Sequence, residues 1–381
     1  MKKIWLLSSF ILSMAAAPVF GQQSDESPKG TLFQRRHTCP ADRKCTSCCK
    51  PSMHYRLPSD FTGLTAYAEC LVWQVQQQAS HFVITPNEDS TLDLNTPNTE
   101  GLGRIRSASF DWNPGVRVGL GYTTKRDFWE TLAQYTWFST SGSRTHSRSS
   151  EASPSDVLMS TFYSSPNTIT SARNTVSFSY QMGDLLAKRS FLPTEQIKLC
   201  FSLGTTGGFI KEQSKITYES LNNTYVKNSW SFGGGGFRAG LDSNWHIGKG
   251  FGLFSRVSFA AILGHYANSE RITTDGPAEN PLTQAVVPFP NHLANSDFSG
   301  ILLMPTTQFA LGFDWTRSFT NCCISGVNLA LATEFNNLAN LQQVFKTTSA
   351  PTTPTIDKAP TFRDTSSVYM YGVNLRLGVD Y

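Results

Sequence analysis

Apolar and polar residues alternate along most of the chain, and the alternation is clearest in its last segment. One set of alternate positions there holds Met370, two glycines, an asparagine, an arginine and an aspartate. The other set consists of Tyr369, Tyr371, Val373, Leu375, Leu377, Val379 and Tyr381. Successive side chains of a strand point to opposite faces of the sheet, so this pattern indicates an amphipathic strand. It recurs in about ten segments, which predicts an all-β fold.

The connections between the predicted strands differ systematically in length. Outer-membrane barrels have short periplasmic turns and long extracellular loops. We therefore expect residues 61–381 to form a transmembrane, antiparallel, up-and-down β-barrel of about ten strands with periplasmic termini. Hairpins hidden in the long loops would raise the strand number to roughly 12–16, the alternative architecture. Short links fall near residues 123–127, 187–194, 248–250 and 318–322, and long polar ones near 77–103, 139–172, 211–229, 267–303 and 338–366.

Aromatic residues lie where the predicted strands meet their short links. Aromatic rings favour a membrane interface because their bodies are apolar and their edges are polar. A soluble β-sandwich gives no reason for this alignment, so the pattern favours a barrel. The predicted periplasmic girdle consists of Tyr122, Trp129, Trp245, Phe251, Trp315 and Tyr381.

The start of the chain predicts export. Two lysines precede an apolar stretch that ends in small residues, the pattern of a secretory signal peptide over residues 1–21. A retained membrane helix is disfavoured because the apolar run is short. Residues 22–60 are polar, contain cysteines and lack strand periodicity, so we interpret them as a periplasmic lead-in.

Composition narrows the functional classes. Charged residues make up 16% of the chain, against about 25% in average proteins. The formal net charge is only +4, so we expect no nucleic-acid partner. Beyond the signal peptide, no stretch approaches the roughly 18 apolar residues of a helical span. Only a closed barrel then satisfies the backbone in lipid, which predicts the bacterial outer membrane as location and its lipid as a partner.

The chain contains eight cysteines, and an exported protein favours disulfides over thiols. Their pairing stays open, and partners within the chain, in a homo-oligomer or in other envelope proteins are all compatible with the sequence. Cys70 and Cys200 fall on strands with opposite predicted facing, so we expect them to stay thiols. The disulfide candidates are Cys39, Cys45, Cys48, Cys49, Cys322 and Cys323.

The spacing of Cys45 and Cys48 also occurs in zinc and redox sites. No second such pair or close histidine pair completes a metal set, so we expect neither metal nor cofactor. Catalysis is also disfavoured. His246 has inward parity at the periplasmic end and His265 has outward parity. No Ser-His-Asp set or nucleophile elbow appears, and we expect that the protein is not an enzyme.

Strand parity places ten charged residues on the lumen side. Mixed charges suit a wet interior, because an unpaired charge in a dry one is costly. Two interpretations stay open: the charges line an aqueous pore, or they pair across a filled lumen. Eight strands leave room only for side chains, whereas open porins use about 16. The predicted lumen charges are Glu69, Arg117, Glu130, Lys198, Arg238, Asp242, Arg256, Asp314, Glu334 and Arg376.

Several strands resemble the major outer membrane proteins of the Legionella and chlamydial types. The resemblance lies in residues 68–73 (AECLVW), 115–122 (GVRVGLGY), 234–242 (GGGFRAGLD) and the tyrosine-ended last strand. It implies a pore-forming surface protein. The cysteine-rich lead-in is similar to chlamydial envelope proteins, which implies a structural role through disulfides.

Together these features predict a weakly selective channel for small hydrophilic solutes or ions, with disulfides that tie the lead-in to itself or to neighbouring envelope proteins. The alternative is a non-conducting surface barrel that acts as an adhesin or as a disulfide-linked wall scaffold. The long Ser- and Thr-rich links carry no recognisable binding motif.

Overall fold

The computed structural model describes residues 63–77, 80–86, 103–124, 129–148, 158–162, 169–220, 223–275, 278–279, 286–287, 291–319, 324–347 and 361–381. The predicted signal peptide and lead-in lie outside these residues.

Ten antiparallel strands close into one barrel, and each pairs with its neighbours along the chain while the last pairs with the first. The prediction of a ten-stranded up-and-down barrel is confirmed. The strands are β1 (Gly63–Gln77), β2 (Asn113–Thr123), β3 (Trp129–Ser147), β4 (Ser171–Phe191), β5 (Ile197–Glu219), β6 (Thr224–Gly248), β7 (Phe251–Thr274), β8 (Asn291–Ser318), β9 (Gly326–Thr347) and β10 (Thr361–Asp380).

Both ends of the barrel domain lie together. Thr65 of β1 is in register with Asp380 of β10, and the amide of Tyr381 donates to the carbonyl of Leu64. The tight β6–β7 hairpin lies at this end, and its turn uses positive φ at Gly248 (135°), Lys249 (53°) and Gly250 (86°). Glycine adopts such angles without steric cost. We call this the periplasmic end and the opposite one the extracellular end.

The predicted long links are in large part strand, which corrects the sequence analysis. β5 ends at Glu219 and β6 begins at Thr224, so most of the link expected near 211–229 belongs to the barrel wall. Described barrel strands run from 11 to 28 residues, and about 9–11 tilted residues suffice to cross a membrane. Polar residues such as Lys211 and Gln213 occupy the outer face there. Both faces of the strand are polar around these two residues, so the alternation that marks a strand in the sequence disappears although the strands continue.

The outer face of the barrel carries an apolar belt. Large apolar side chains that a soluble protein would bury are exposed all round the wall, as expected for a surface solvated by lipid. Belt residues include Val118, Leu120, Leu185, Leu203, Phe237, Phe259, Leu263, Leu303, Phe313, Leu331 and Leu375.

A small cap lies at the extracellular end. A three-stranded sheet is formed by His81–Pro86, Gly103–Ser107 and Met159–Ser160. Its apolar side chains share a buried cluster with residues near the extracellular ends of β4 to β7, so the cap packs onto the barrel. The cluster contains Phe82, Val83, Leu158, Phe162, Ile169, Ala172, Ile216, Tyr218, Val226 and Ile272.

The belt predicts a position-dependent cost for charge on the outer face. Leu375→Arg places a cation in the middle of the belt portion of β10, and we expect it to lower the free energy of unfolding by about 2–4 kcal/mol. Gln213→Arg is the matched control, because its exposed site lies beyond the belt, where the cost is about 0–1 kcal/mol. Denaturant titration of the barrel in lipid vesicles measures both. Equal costs at the two sites would contradict this position of the membrane.

Candidate functional site

Arg117 is the centre of a charged layer in the lumen. It lies on β2 in register with Glu69 of β1, and the two side chains meet with Nη1 of Arg117 2.6 Å from Oε2 of Glu69. The same guanidinium binds both oxygens of Glu334 on β9, at 2.8 and 3.0 Å. Arg117 is only 2% exposed. A planar fork that holds two carboxylates is the strongest pairing geometry available to arginine.

Amide side chains complete the coordination of Glu334. Gln308 donates to its Oε1 at 2.6 Å, and Asn336 donates to the same oxygen at 2.9 Å. Asn374 of β10 donates to Oε2. A buried carboxylate costs free energy unless its lone pairs are satisfied, and here three amides and one guanidinium satisfy them.

Trp73 joins this layer to the apolar part of the lumen. The Arg117 guanidinium lies 5.5 Å from the centre of the Trp73 ring, within the range of a cation–π interaction. The indole Nε1 donates to Oδ1 of Asn374 at 2.8 Å. Arg117 Nε also donates to Thr136 at 3.1 Å. We call Glu69, Arg117, Gln308, Glu334, Asn336 and Asn374 the Arg117 layer.

A second ion pair lies on strands β4 and β6. Arg238 binds Asp184 at 3.0 Å, and Gln134 donates to the same carboxylate oxygen at 3.0 Å. Tyr67 donates to Gln134 at 2.6 Å, so the hydrogen bonds continue to β1. Four strands are thereby joined across the lumen.

A third group lies closer along β6 to the periplasmic hairpin. Asp242 pairs with Lys188 at 3.4 Å and with Arg256 at 3.3 Å. A cavity of about 20 Å³ remains between these residues and Arg238, room for about one water molecule. The space left between these side chains is therefore small.

The remaining predicted lumen charges also lie on the inner side of their strands. Arg376 Nη1 is 3.9 Å from Glu69, and its guanidinium lies 3.8 Å from the centre of the Tyr67 ring. Asn244 donates to Asp314 at 3.0 Å. Glu130 and Lys198 are partly exposed.

Two charged members of these networks were not predicted from the sequence. Asp184 was not assigned to the lumen, and Lys188 falls in a segment expected to be a turn. The sequence held a signal for their inward position. Asp184 and Lys188 alternate with Met182 and Leu186, and these four side chains all point inward. This signal was missed because the outward positions between them include Gly183 and Ala187, which are not strongly apolar.

Most side chains that fill the lumen on the extracellular side of the Arg117 layer are apolar. Aromatic contacts run across it: Trp73 to Phe138 at 5.5 Å between ring centres, Phe178 to Trp230 at 6.3 Å, and Trp230 to Tyr266 at 6.0 Å. We call this group the lumen cluster. It contains Leu71, Trp73, Val75, Phe110, Phe138, Val176, Phe178, Tyr180, Met182, Ile210, Trp230, Phe232, Ala260, Ile262, Tyr266, Met304, Leu338, Leu341, Val368 and Met370.

The other residues singled out by the sequence have varied positions. The predicted girdle aromatics point outward at the periplasmic end, where all but Trp315 are exposed. Cys70 is exposed on the outer face and Cys200 is buried on the inner side, both as free thiols. Within the described ranges, no three His, Cys, Asp or Glu side chains are arranged to hold a metal. The disulfide candidates Cys39, Cys45, Cys48, Cys49, Cys322 and Cys323 lie outside the described residues.

The family model for the Legionella pneumophila major outer membrane protein precursor matches residues 56–381. The chain belongs to this family. It is a protein of the bacterial outer membrane. No curated protein matches its sequence. Among the described residues, no helix is long and apolar enough to cross a membrane.

Solved structures with similarity to this family member include the CymD monoaromatic hydrocarbon channel, the P. putida toluene transporter TodX and a Pseudomonas aeruginosa FadL homologue. Their sequence identities are 6%, 8% and 10%, and their TM-scores are 0.27, 0.27 and 0.21. The matches cover 85%, 85% and 87% of this chain and 90%, 91% and 94% of those chains. With scores this low, their ligands remain properties of those proteins.

In this Legionella-type outer membrane protein, the segments that carry the family resemblance also supply several of the lumen charges. Residues 68–73 contribute Glu69, residues 115–122 contribute Arg117, and residues 234–242 contribute both Arg238 and Asp242. The segments that carry the resemblance therefore contribute part of each network, and other strands supply partners such as Glu334, Asp184 and Arg256.

Removal of Arg117 tests the energetic role of the layer. Arg117→Met leaves Glu69 and Glu334 buried without a cation, and we expect the free energy of unfolding to fall by about 3–5 kcal/mol. The triple variant Glu69→Gln/Arg117→Met/Glu334→Gln removes all three charges and should recover most of that loss. Denaturant titration in vesicles compares them. Lys198→Met is the control for loss of a partly exposed lumen cation, with an expected change within about 0.5 kcal/mol.

Proposed function

We propose that this protein is a channel for small hydrophilic solutes or ions across the outer membrane, and that it rests closed with the Arg117 layer as its axial gate. The observation that carries the proposal is the chemistry of that layer. Apolar side chains of similar volume often stabilise an interior as well as a buried ion pair does, or better. A permanently sealed lumen needs no charged side chains. A gate that becomes hydrated on opening does benefit from them, because water and ions interact favourably with charged groups.

The charges support weak rather than strong ion selectivity. The predicted lumen set holds five acidic and five basic side chains, and Asp184 and Lys188 add one of each sign. Rings of a single sign produce strong preference in channels. A balanced lumen therefore supports slow passage of small solutes of either charge. The role proposed is transport rather than catalysis.

The strand positions suggest how the gate would open. Arg117 on β2 and Glu334 on β9 are separated in the wall by β1 and β10, so their contact crosses the lumen. A rotation of Arg117 toward Glu69, its neighbour in register, would break that crossing contact while one ion pair persists. Trp73 would have to move with it, since the guanidinium lies over its ring.

A second candidate is a sealed surface barrel that acts as an adhesin or a disulfide-linked scaffold. The lumen cluster favours it, because tightly buried aromatic side chains block the path on the extracellular side of the gate. Crosslinking through the lead-in and through Cys322 and Cys323 rests on the sequence alone. The two candidates differ in whether a folded barrel conducts.

Planar-bilayer recording tests the gate. We expect brief, rare openings from the unmodified protein and frequent, long ones from Arg117→Gln/Glu334→Gln, because neutral amides hold the closed layer less tightly. Arg238→Glu should shift the reversal potential in a salt gradient toward cation preference. Arg173→Glu, on the exposed outer face of β4, is the control and should leave that potential unchanged.

Folding of each variant is checked by its heat-sensitive migration on a denaturing gel. Silent bilayers that contain verified folded double variant would contradict the channel and favour the sealed barrel.

A further inference from the structure

The wall of the barrel is interrupted between β8 and β9. β8 pairs with β7 along its length, from Asn291 opposite Thr274 to Trp315 opposite Phe251. Its pairing with β9 begins only at Thr306, opposite Leu338, and continues to the periplasmic end. Among the described strands, the extracellular part of β8 therefore has a ladder on one side alone. We call the gap beyond Thr306 and Leu338 the seam.

β9 leaves the wall at the seam. Its register with β10 shifts between Leu338 and Gln342, and Asn340 has a φ of 58°. Beyond this kink, three consecutive residues, Leu341, Gln342 and Gln343, are 0%, 2% and 1% exposed. In a wall strand alternate residues face lipid or solvent. Consecutive burial means that protein surrounds this segment on both sides.

Contacts place the kinked segment inside the lumen. The carbonyl of Gln343 accepts from Asn268 at 2.6 Å and from Tyr266 at 3.4 Å, two lumen-facing residues of β7. Gln342 donates at 3.1 Å to Gln77 on the inner side of β1. The carbonyl that a wall strand would offer to β8 is thus partnered by side chains from within the barrel.

The seam lies at the height of the apolar belt. Leu303, 53% exposed, is in register with belt residue Leu263, and Ile301 is 79% exposed on the same face. An open sheet edge does not normally occur in hydrocarbon, because its polar groups have no partner there. The first residue beyond the last pair on β8 is Pro305, which has no N–H to leave unpaired.

Apolar groups line the inner side of the seam. Met304, Leu338 and Leu341 are buried directly behind it as members of the lumen cluster, and Phe298 packs against that cluster. Hydrocarbon-like surface therefore continues from the belt, through the seam, into the lumen. Among the described residues no ladder pair joins β8 to β9 here, so opening this path breaks no ladder hydrogen bond between the two strands.

We propose that the seam is a lateral port through which apolar or amphipathic small molecules pass between the lumen cluster and the membrane. The axial gate handles polar solutes along the barrel axis, so this route is separate from it. An apolar solute that crosses here exchanges the apolar belt for the apolar lumen cluster.

The test measures entry of the apolar fluorophore N-phenyl-1-naphthylamine into Gram-negative cells whose lipopolysaccharide leaflet excludes it. Cells that carry the barrel should take up the probe severalfold faster than cells without it. The staple Pro305→Cys/Ala339→Cys, closed by oxidation or by a bis-maleimide, should abolish that gain, and a reductant should restore it for the disulfide form. Thr307→Cys/Asn337→Cys is the matched staple, placed two residues away along each strand, where β8 and β9 are already paired.

Two substitutions that shorten a buried side chain test the port independently of the staple. Met304→Ala lies behind the seam, and Ile262→Ala lies in the same cluster behind a strand paired on both sides; both residues are fully buried. We expect faster uptake from the first only, at equal amounts of folded barrel. Uptake that ignores a verified staple, or that responds equally to both truncations, overturns the port.

Two further measurements distinguish the port from the axial channel and from a dimer interface. The stapled protein should retain the bilayer conductance of the unmodified barrel, so loss of the port and loss of the axial channel are distinguishable. Pro305→Cys alone should stay monomeric on oxidation. A disulfide dimer from that single variant would instead make the β8 edge an interface between two copies, and would overturn the port.

Discussion

The structure depends on one constraint: in hydrocarbon, every backbone N–H and C=O must find a partner within the protein. β1 and β10 meet this constraint when they pair from Thr65 opposite Asp380 to Gln77 opposite Val368, which closes the ten-stranded sheet into a barrel. Closure then fixes two faces for every strand. The outer one becomes the apolar belt, and the inner one must be filled, because ten strands enclose little more space than their side chains occupy.

The filling is divided between two chemistries. Toward the periplasmic end it consists of ion pairs and amides, with the Arg117 layer as the most completely satisfied group. Toward the extracellular end most of it is aromatic and aliphatic, with hydrogen-bonded polar pairs such as Gln77 and Glu212 among these side chains. Trp73 belongs to both, since its indole N–H binds Asn374, its ring lies under Arg117 and its edge contacts Phe138. Movement of the charged layer is therefore coupled to the packing of the apolar one.

Much of this architecture could be predicted from the sequence, because period-two alternation reports which side of a strand is in lipid. That signal gave the strand number and the inward facing of residues such as Arg117 and Glu334. It failed where both faces are polar, as at Lys211 to Lys215, and where outward residues are small, as around Asp184 and Lys188. It could not reveal that apolar side chains fill the lumen, because inward apolar residues such as Trp230 weaken the contrast between the two faces of a strand.

The seam is the place where the barrel departs from its own governing constraint. Ladder pairing between β8 and β9 ends within the belt, and the kink at Asn340 turns the following residues inward. β9 could have continued to pair with β8 without a longer chain. The extracellular part of β8, from Asn291 to Pro305, is already a strand because it pairs with β7. Residues 341–343 instead lie in the lumen, where two β7 side chains donate hydrogen bonds to the carbonyl of Gln343. Among the described strands no ladder pair joins β8 to β9 beyond Thr306, so the proposed port parts and closes again without breaking hydrogen bonds between these two strands.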